Sequence, residues 1–496
     1  MDIRKSIVFF LILLIISTAG FGCGGGSKSN SSNNSSFIAA AVNTNPIIEL
    51  TKDTDISVSS FNDYHIYSLI SSQPDDQPES NVAPTTFNGF TITAKFQASS
   101  TKSVAINNSY SSEVYSSKQI AFDSMMRQRE NSLLASKTPQ LSKTSSILKS
   151  VAPSDITIGT PWPAVNIYDS NENLHQINAT CQLVSGHAYF FVDNNDTESM
   201  KNYLPDYGTA FDSIYATNHE KFGTEKDSDT NGKIIIIFSD QLSNGLLGYF
   251  NSRDRYDSAI HPDSNEGAIL YITTDSKYQG DVVKATMAHE FQHMIYFDQH
   301  AKYNVETSYL WLNEALSQAA EYYNGYFTNH NAWMKSFLQG GWSGYQKYAV
   351  PLSLTYWTDY NYGYGALFIR YLIAKYGDNA IKNMCSSQYV GITAVENATG
   401  NGFNTIFNNF VHALVLSGLS DGGKQTIYNF GDLDLQSLQT NDRGGLLYAG
   451  PYDVGYEISG TKFPPYSICF VRWQGSFGTM NLTGNTMVGT AFGISR

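Results

Sequence analysis

The stretch KATMAHEFQHMIYFDQ, residues 284–299, contains two histidines four positions apart, with a glutamate directly after the first. Residues 281–298 lack Gly and Pro, and their apolar side chains recur at helical spacing, which predicts an α-helix. On a helix, His289 and His293 lie one turn apart on the same face, so both imidazoles can reach a single ion. Glu290 is then the predicted general base that takes a proton from water, and it is not a metal ligand.

A catalytic zinc site of this kind needs a third protein ligand. The pattern HExxHxxGxxH is excluded, because Tyr296 and Gln299 occupy the positions of its Gly and its last His. A second predicted helix, WLNEALSQAAEYYNGY (311–326), carries Glu314 near its apolar stripe, where burial of a carboxylate is costly unless it is paired or binds a metal. Glu314 would complete a His2Glu zinc set. The alternative is that Glu314 is a solvated charge. For Glu321 we predict a solvated charge, and a hydrogen bond to a metal ligand is the other interpretation.

The motifs together carry a resemblance to a known family. An HExxH motif followed by a downstream Asn-Glu pair is the gluzincin arrangement, and AHEFQHMI, WLNEALSQAAEYY and YGYGALFIRYLIAKYG resemble the hyicolysin family of bacterial neutral zinc metallopeptidases. The upstream FGTEKDSDTNGKIIIIF is similar to that family as well, so the resemblance covers roughly residues 155–420. It implies a zincin-like domain, Zn2+ held by His289, His293 and Glu314, and Glu290 as the base.

The pattern of apolar residues changes along the chain from strand-like to helical and predicts an α+β protein. Short apolar runs at 187–194, 233–240 and 267–275 predict buried strands, and helical patterns follow from 281 to 420. A mixed sheet followed by helices is therefore expected, flanked by small β-rich modules. The predicted regions in the mature chain are a β-rich module (46–115), a region of helix and linker (116–155) with the helix at 118–136 and the linker at 137–155, the metallopeptidase domain (156–425) and a β-rich C-terminal segment (426–496).

The N-terminal residues predict export. A basic pair precedes an apolar run over 7–16, which is too short to span a bilayer, so 1–22 is the predicted signal peptide. Cys23 and the Gly/Ser/Asn-rich tether that follows (23–45) resemble the lipid-modified start of bacterial lipoproteins. Gly20 stands where lipoproteins prefer Leu, so plain secretion is the alternative.

Composition limits the partners of the chain. A formal charge of −13 over 496 residues repels phosphates and argues against nucleic acid as the main partner. The expected partner is a protein or peptide substrate, with a membrane reached only through Cys23. In an exported chain the remaining cysteines, Cys181, Cys385 and Cys469, allow one disulfide, and the sequence does not choose the pair.

Cleavage within a chain is favoured over removal of terminal residues. The helix WLNEALS also resembles the aminopeptidases, but the Gly-x-Met-Glu-Asn strand that anchors a free amine in those enzymes is missing from the sequence. An aminopeptidase therefore stays the second alternative to an endopeptidase. Tyr362, three residues before Gly365, is a candidate donor to the oxyanion that forms at the attacked carbonyl, with ordinary packing as the alternative.

A second metal and a different class of function also stay open. DSDTNGKI (227–234) matches the first half of a calcium loop, but Phe238 stands where the closing Glu belongs, and an Asx-type turn explains the pattern equally well. Ca2+ is thus a candidate cofactor beside Zn2+. The leading alternative function is a surface lipoprotein that binds a partner through its β modules and carries an inactive peptidase-like core.

Overall fold

The computed structural model describes the middle of the chain almost continuously and short strands towards both ends. The described residues are strand segments within 36–96, then 117–136, 155–303 except 228, 305, 310–327, positions 331, 333, 334 and 337, 352–355, 362–416, 428–433, 435, and strand segments with two adjoining residues within 452–495. The predicted signal peptide, Cys23 and most of the predicted 137–155 linker lie outside them.

The elements follow in chain order. The strands are β1 (Ser36–Phe37), β2 (Ile48–Leu50), β3 (Thr54–Val58), β4 (Phe61–Ser71), β5 (Thr91–Phe96), β6 (Pro161–Tyr168), β7 (Leu174–Val184), β8 (Ala188–Asp193), β9 (Ile234–Ser239), β10 (Gly248–Phe250), β11 (Ile269–Thr273), β12 (Leu352–Ser353), β13 (Tyr452–Asp453), β14 (Ile458–Lys462), β15 (Ser467–Gly475), β16 (Gly478–Thr483) and β17 (Gly489–Ser495). The helices are α1 (Ser117–Ser136), α2 (Thr197–Met200), α3 (Leu204–Phe222), α4 (Asp281–Ala301), α5 (Leu310–Tyr323), α6 (Tyr362–Ser386), α7 (Gly391–Thr399) and α8 (Phe403–Leu416).

The central sheet is mixed, in the order β10-β11-β9-β8-β7-β6. β9 runs parallel to both of its neighbours, whereas β10, β7 and β6 pair antiparallel. All six residues of β9 are buried, because alternate side chains enter two separate apolar cores, Ile236 on one face and Ile235 on the other. The mixed sheet followed by helices is α+β and compatible with a zincin-like domain. The strands predicted at 187–194, 233–240 and 267–275 are confirmed as β8, β9 and β11.

The helices that carry the predicted motif pack against one face of this sheet. α4 covers the predicted helix 281–298, and α5 covers the predicted helix at 311–326 as far as Tyr323. Both contribute to the same core as α3 and α6. In α4 every residue from 285 to 300 is buried, so the helix lies in the middle of the domain. α6 changes direction at Gly377, whose φ of 72° is a left-handed conformation that glycine adopts at low cost.

The edge strand β10 lies directly against α4. A Cβ added at Gly248 would lie 2.7 Å from Thr286 Cγ2 and 2.8 Å from the carbonyl oxygen of Tyr271. These separations are shorter than van der Waals contact, so only glycine permits the close approach of this strand to the helix. The backbone of β10 is thereby held next to the first turns of the HExxH helix.

Strands from the two ends of the chain pair with one another. β4 pairs antiparallel with β15 and β17, and β5 pairs antiparallel with β14 and β16. Each of these two sheets therefore contains strands from both end segments of the chain. The division of the chain into separate regions stays a prediction.

Two further observations concern the membrane and the cysteines. Among the described residues, no helix has both the length and the apolar character needed to span a bilayer. Cys181 and Cys385 are buried free thiols, and they do not pair with each other. The side chain of Cys469 lies outside the described residues.

Candidate metal centre

The three predicted ligands meet where α4 and α5 pack together. One ligand atom from each of His289, His293 and Glu314 can be chosen so that all three lie within 4.8 Å of one another, and each residue is at most 1% exposed. His289 Nε2 lies 3.2 Å from Glu314 Oε2, and His293 Nε2 lies 3.5 Å from Glu314 Oε1. A tetrahedral zinc ion with bonds of about 2.0–2.2 Å separates its ligand atoms by about 3.3–3.6 Å. The spacing of the set fits such an ion.

The donor types fit a metal as well. Both histidines direct Nε2 at Glu314, while their Nδ1 atoms are engaged by other side chains. Two imidazole nitrogens and one carboxylate are a known set for catalytic zinc, with one position left open. The site can therefore hold a metal ion.

Glu321 fixes the orientation of His289. Its Oε1 lies 2.9 Å from His289 Nδ1, and its side chain is fully buried. The prediction that Glu321 is a solvated charge is therefore wrong, because every residue of α5 from 310 to 321 is buried and the helix has no solvent face there. Such a carboxylate holds one tautomer of the ligand histidine and raises its basicity.

His293 is fixed by two residues that the sequence did not identify. Asn313 Oδ1 and Ser317 Oγ each lie 3.0 Å from His293 Nδ1. Asn313 directly precedes Glu314, and Ser317 lies one turn beyond Asn313 on the same helix face. The spacing of Asn313 and Ser317 around Glu314 was thus the sequence signal that could have identified both residues.

The charges of the ligand set are coupled. Burial acts to raise the pKa of Glu314, but the facing histidines outweigh it and hold the pKa below the usual range. Burial acts to lower the pKa of His289, but its hydrogen bonds to Glu314 and Glu321 raise it well above the ordinary value. Burial lowers the pKa of His293 to about 4. A metal ion would compete with the proton for Nε2 of His289, so metal binding releases protons here.

Glu290 lies beside the ligand set and outside it. The residue is 3% exposed, and its Oε2 accepts a hydrogen bond of 3.0 Å from the backbone N–H of Phe250 in β10. Burial raises the pKa of the Glu290 carboxyl to about 7. A carboxyl with that pKa both accepts and releases a proton near neutral pH.

Tyr362 and Asp123 form a contact that the sequence could not predict. Tyr362 is buried at the start of α6, and its hydroxyl donates a 2.7 Å hydrogen bond to Asp123 Oδ2 on α1. Asp123 lies close enough to Glu314 and Glu290 for their charges to raise its pKa, after burial as the main cause. Helix α1 therefore reaches the metal centre, and the catalytic role of Tyr362 stays a prediction.

Two other acidic groups lie away from this centre. Asp229, in the predicted calcium loop, accepts hydrogen bonds from Asn231 Nδ2 at 2.8 Å and from the Ala268 N–H at 3.4 Å, as in a turn leading to β9. Calcium there stays a prediction. In a second group, Asp193, Asp196 and Asp240 are also close enough for a cation, and the sequence reasoning did not identify them.

Comparison with known proteins gives one distant relationship. No family model matches the chain. Over 150 residues the chain is 31% identical to the Neutral metalloprotease ShpI of Staphylococcus hyicus, in an alignment that covers 26% of this chain and 34% of that protein. The match thus spans about a third of that relative's length. It supports a distant relationship to a metallopeptidase.

Proposed function

We propose that the protein is a zinc metallopeptidase of the hyicolysin type that cleaves peptide bonds within protein substrates. One observation carries the proposal: the buried convergence of His289, His293 and Glu314, with Glu290 beside them. Its support from outside the site is the distant relationship to a metalloprotease. The two histidines and Glu314 would hold the ion.

The chemistry is divided between the ion and Glu290. Bound at this site, zinc would supply a Lewis acid for the peptide carbonyl and for water. Glu290 would accept the proton that the attacking water loses and deliver it to the departing amine, which its pKa of about 7 permits. The hydrogen bond from the Phe250 N–H holds the Glu290 carboxylate beside β10. Tyr362 is the proposed donor to the oxyanion.

The edge strand is the proposed platform for the substrate. β10 pairs with β11 on one side, and an extended peptide can add to the side of an edge strand that no neighbouring strand pairs with. The missing amine-anchoring sequence supports cleavage inside the chain and not from its end. Export, with a lipid anchor at Cys23, completes the proposal and rests on the sequence of the first residues alone.

One experiment tests the proposed function. Zinc content and casein hydrolysis are measured for the wild type and for Glu290→Gln, a variant of almost the same shape without the carboxylate. We expect both to bind one zinc ion, and we expect the hydrolysis that the wild type shows to be lost in the variant. Equal hydrolysis by the two proteins, above the rate without protein, would remove Glu290 from the mechanism. A folded wild type that binds no zinc would favour the binding-protein alternative.

A further inference from the structure

Helix α1 precedes the domain in sequence, but it packs across the edge of the central sheet. Phe122 and Met126 enter one core, where the Phe122 ring lies 5.0 Å from that of Tyr249 in β10. Leu133 and Leu134 enter the other core, on the side of the metal-binding helices. The helix therefore passes the edge of the sheet at β10, between two apolar anchor points.

Gln119 bonds to the backbone at β10 as a peptide group would. Its Nε2 donates to the carbonyl oxygen of Gly248 at 3.0 Å, and its Oε1 accepts from the N–H of Leu247 at 2.7 Å. A primary amide offers the same donor and acceptor as a backbone peptide. Gln119 thus occupies backbone groups at the edge to which an extended substrate would add.

The face of α1 turned to the protein is polar as well as apolar. Gln119, Asp123, Arg127 and Glu130 are each at most 4% exposed and follow at intervals of four, four and three residues, which places them on one side of the helix. Arg127 and Glu130 form a buried ion pair of 2.8 Å. Buried ion pairs contribute little to stability compared with apolar residues of similar volume. Stability alone does not account for this face.

Asp123 directs the polar face at the metal centre. Its two carboxylate oxygens accept hydrogen bonds of 2.7 Å, one from Gln119 Nε2 and one from the Tyr362 hydroxyl. Glu290 and Glu314 are its repelling neighbours, and His289 is an attractive one. A divalent cation bound at the ligand set would attract the Asp123 carboxylate.

We propose that α1 is a built-in inhibitor of the metal centre: Gln119 occupies the peptide-pairing edge of β10, and the Asp123 carboxylate covers the bound metal ion. The inference rests on the proposed function, because it assigns regulation to the same site. Tyr362, the proposed oxyanion donor, is engaged by Asp123 as long as α1 is in place. Displacement of α1 would free β10, the metal ion and Tyr362 together.

The test uses the zinc-loaded full chain and a readout independent of activity. Zinc release to an excess of a chromophoric chelator is followed for the wild type, for Asp123→Ala and for Gln119→Ala/Asp123→Ala. Gln128→Ala is the matched control, because Gln128 is an exposed glutamine of the same helix. Asp123→Asn, which keeps the shape and an acceptor for Tyr362, replaces Asp123→Ala if the alanine variant does not fold. Casein hydrolysis is measured on the same samples.

We expect zinc release at least about tenfold faster in the Asp123 variants than in the wild type and the control, since neighbours of metal ligands affect metal affinity by about 10–100-fold. Hydrolysis should rise in the double variant. Equal release rates and equal hydrolysis in all proteins would overturn the inference and leave the proposed function intact. A third outcome is that every protein binds zinc, that the Asp123 variants release it faster, and that none hydrolyses casein. This outcome would support the proposed covering of the metal by α1 and contradict the proposed peptidase activity. A folded chain without zinc would overturn both.

Discussion

The hydrogen bond between Glu321 and His289 predicts the strength of metal binding. Glu321→Gln keeps the size of the side chain and removes its charge. A hydrogen bond to a charged group contributes about 1.5–3 kcal/mol and a neutral one about 0.5–1.5 kcal/mol. The loss of about 1–1.5 kcal/mol corresponds to roughly a tenfold weaker affinity for zinc.

Structural details make the effect specific to the charge. Glu321 is fully buried and lies 2.9 Å from His289 Nδ1, so water cannot replace it as the acceptor. Gln318 Nε2 also donates to Glu321 Oε1 at 3.0 Å, so one oxygen of the new amide would still face two donors. In Glu321→Ala the buried imidazole N–H would lose this acceptor as well, which adds about 1–3 kcal/mol to the loss.

Zinc affinity is measured by competition with a chromophoric chelator at pH 7.5, with far-ultraviolet circular dichroism to confirm folding. Glu198→Gln is the control, because that glutamate is 88% exposed. The expected order of affinity is wild type equal to Glu198→Gln, then Glu321→Gln, then Glu321→Ala. Wild-type affinity in both Glu321 variants would refute the reasoning that this carboxylate supports the ligand histidine.

Three further predictions concern stability. Replacing Arg255 by Met leaves Asp298 as a buried unpaired charge, so the free energy of unfolding measured in urea should fall by about 3–5 kcal/mol. The control is Lys201→Met, at an exposed ion pair of 3.8 Å, which should change the free energy of unfolding by less than about 1 kcal/mol. Burial lowers the pKa of His412 to about 4, so its native state stays neutral and stability falls as the pH drops from about 6.5 towards 4. At pH 5 the loss of unfolding free energy caused by His412 is about 2 kcal/mol, and His412→Phe should not show this loss in urea unfolding. An unchanged pH dependence in the variant would exclude His412 as the source. Chelation of zinc should lower the unfolding free energy by about 2.7 kcal/mol relative to protein at a free zinc concentration 100 times Kd, and an unaltered thermal transition would contradict a resident ion.

The sequence predicted the elements that are defined by local pattern. α4 and α5 have long helical periodicity, and β9 is a continuous apolar run, so their type and approximate position followed from composition. β6 and β7 were not predicted, and apolar patterning alone did not identify β10. β7 alternates irregularly between buried and partly exposed residues, and β10 has only three residues, so its existence depends on pairing with β11.

The candidate site was predictable in its ligands and less so in their surroundings. His289, His293 and Glu314 were identified because motif spacing and the cost of a buried carboxylate point to a metal. Glu321 was assigned to solvent because helix periodicity does not show that α5 is covered on all sides. The helix at 118–136 was predicted, but its place at the metal centre depends on long-range contacts such as that between Asp123 and Tyr362, which no local pattern encodes.

The most direct test of the central claim is zinc X-ray absorption of the full chain, combined with metal analysis of the same sample. The account predicts one zinc ion per chain with two imidazole ligands, the rest oxygen at about 2.0–2.2 Å, and no sulfur. His293→Ala should lose the two-imidazole signal and bind zinc far more weakly. Sulfur ligands, or a two-imidazole signal that survives in His293→Ala, would contradict the assignment of the metal to His289, His293 and Glu314.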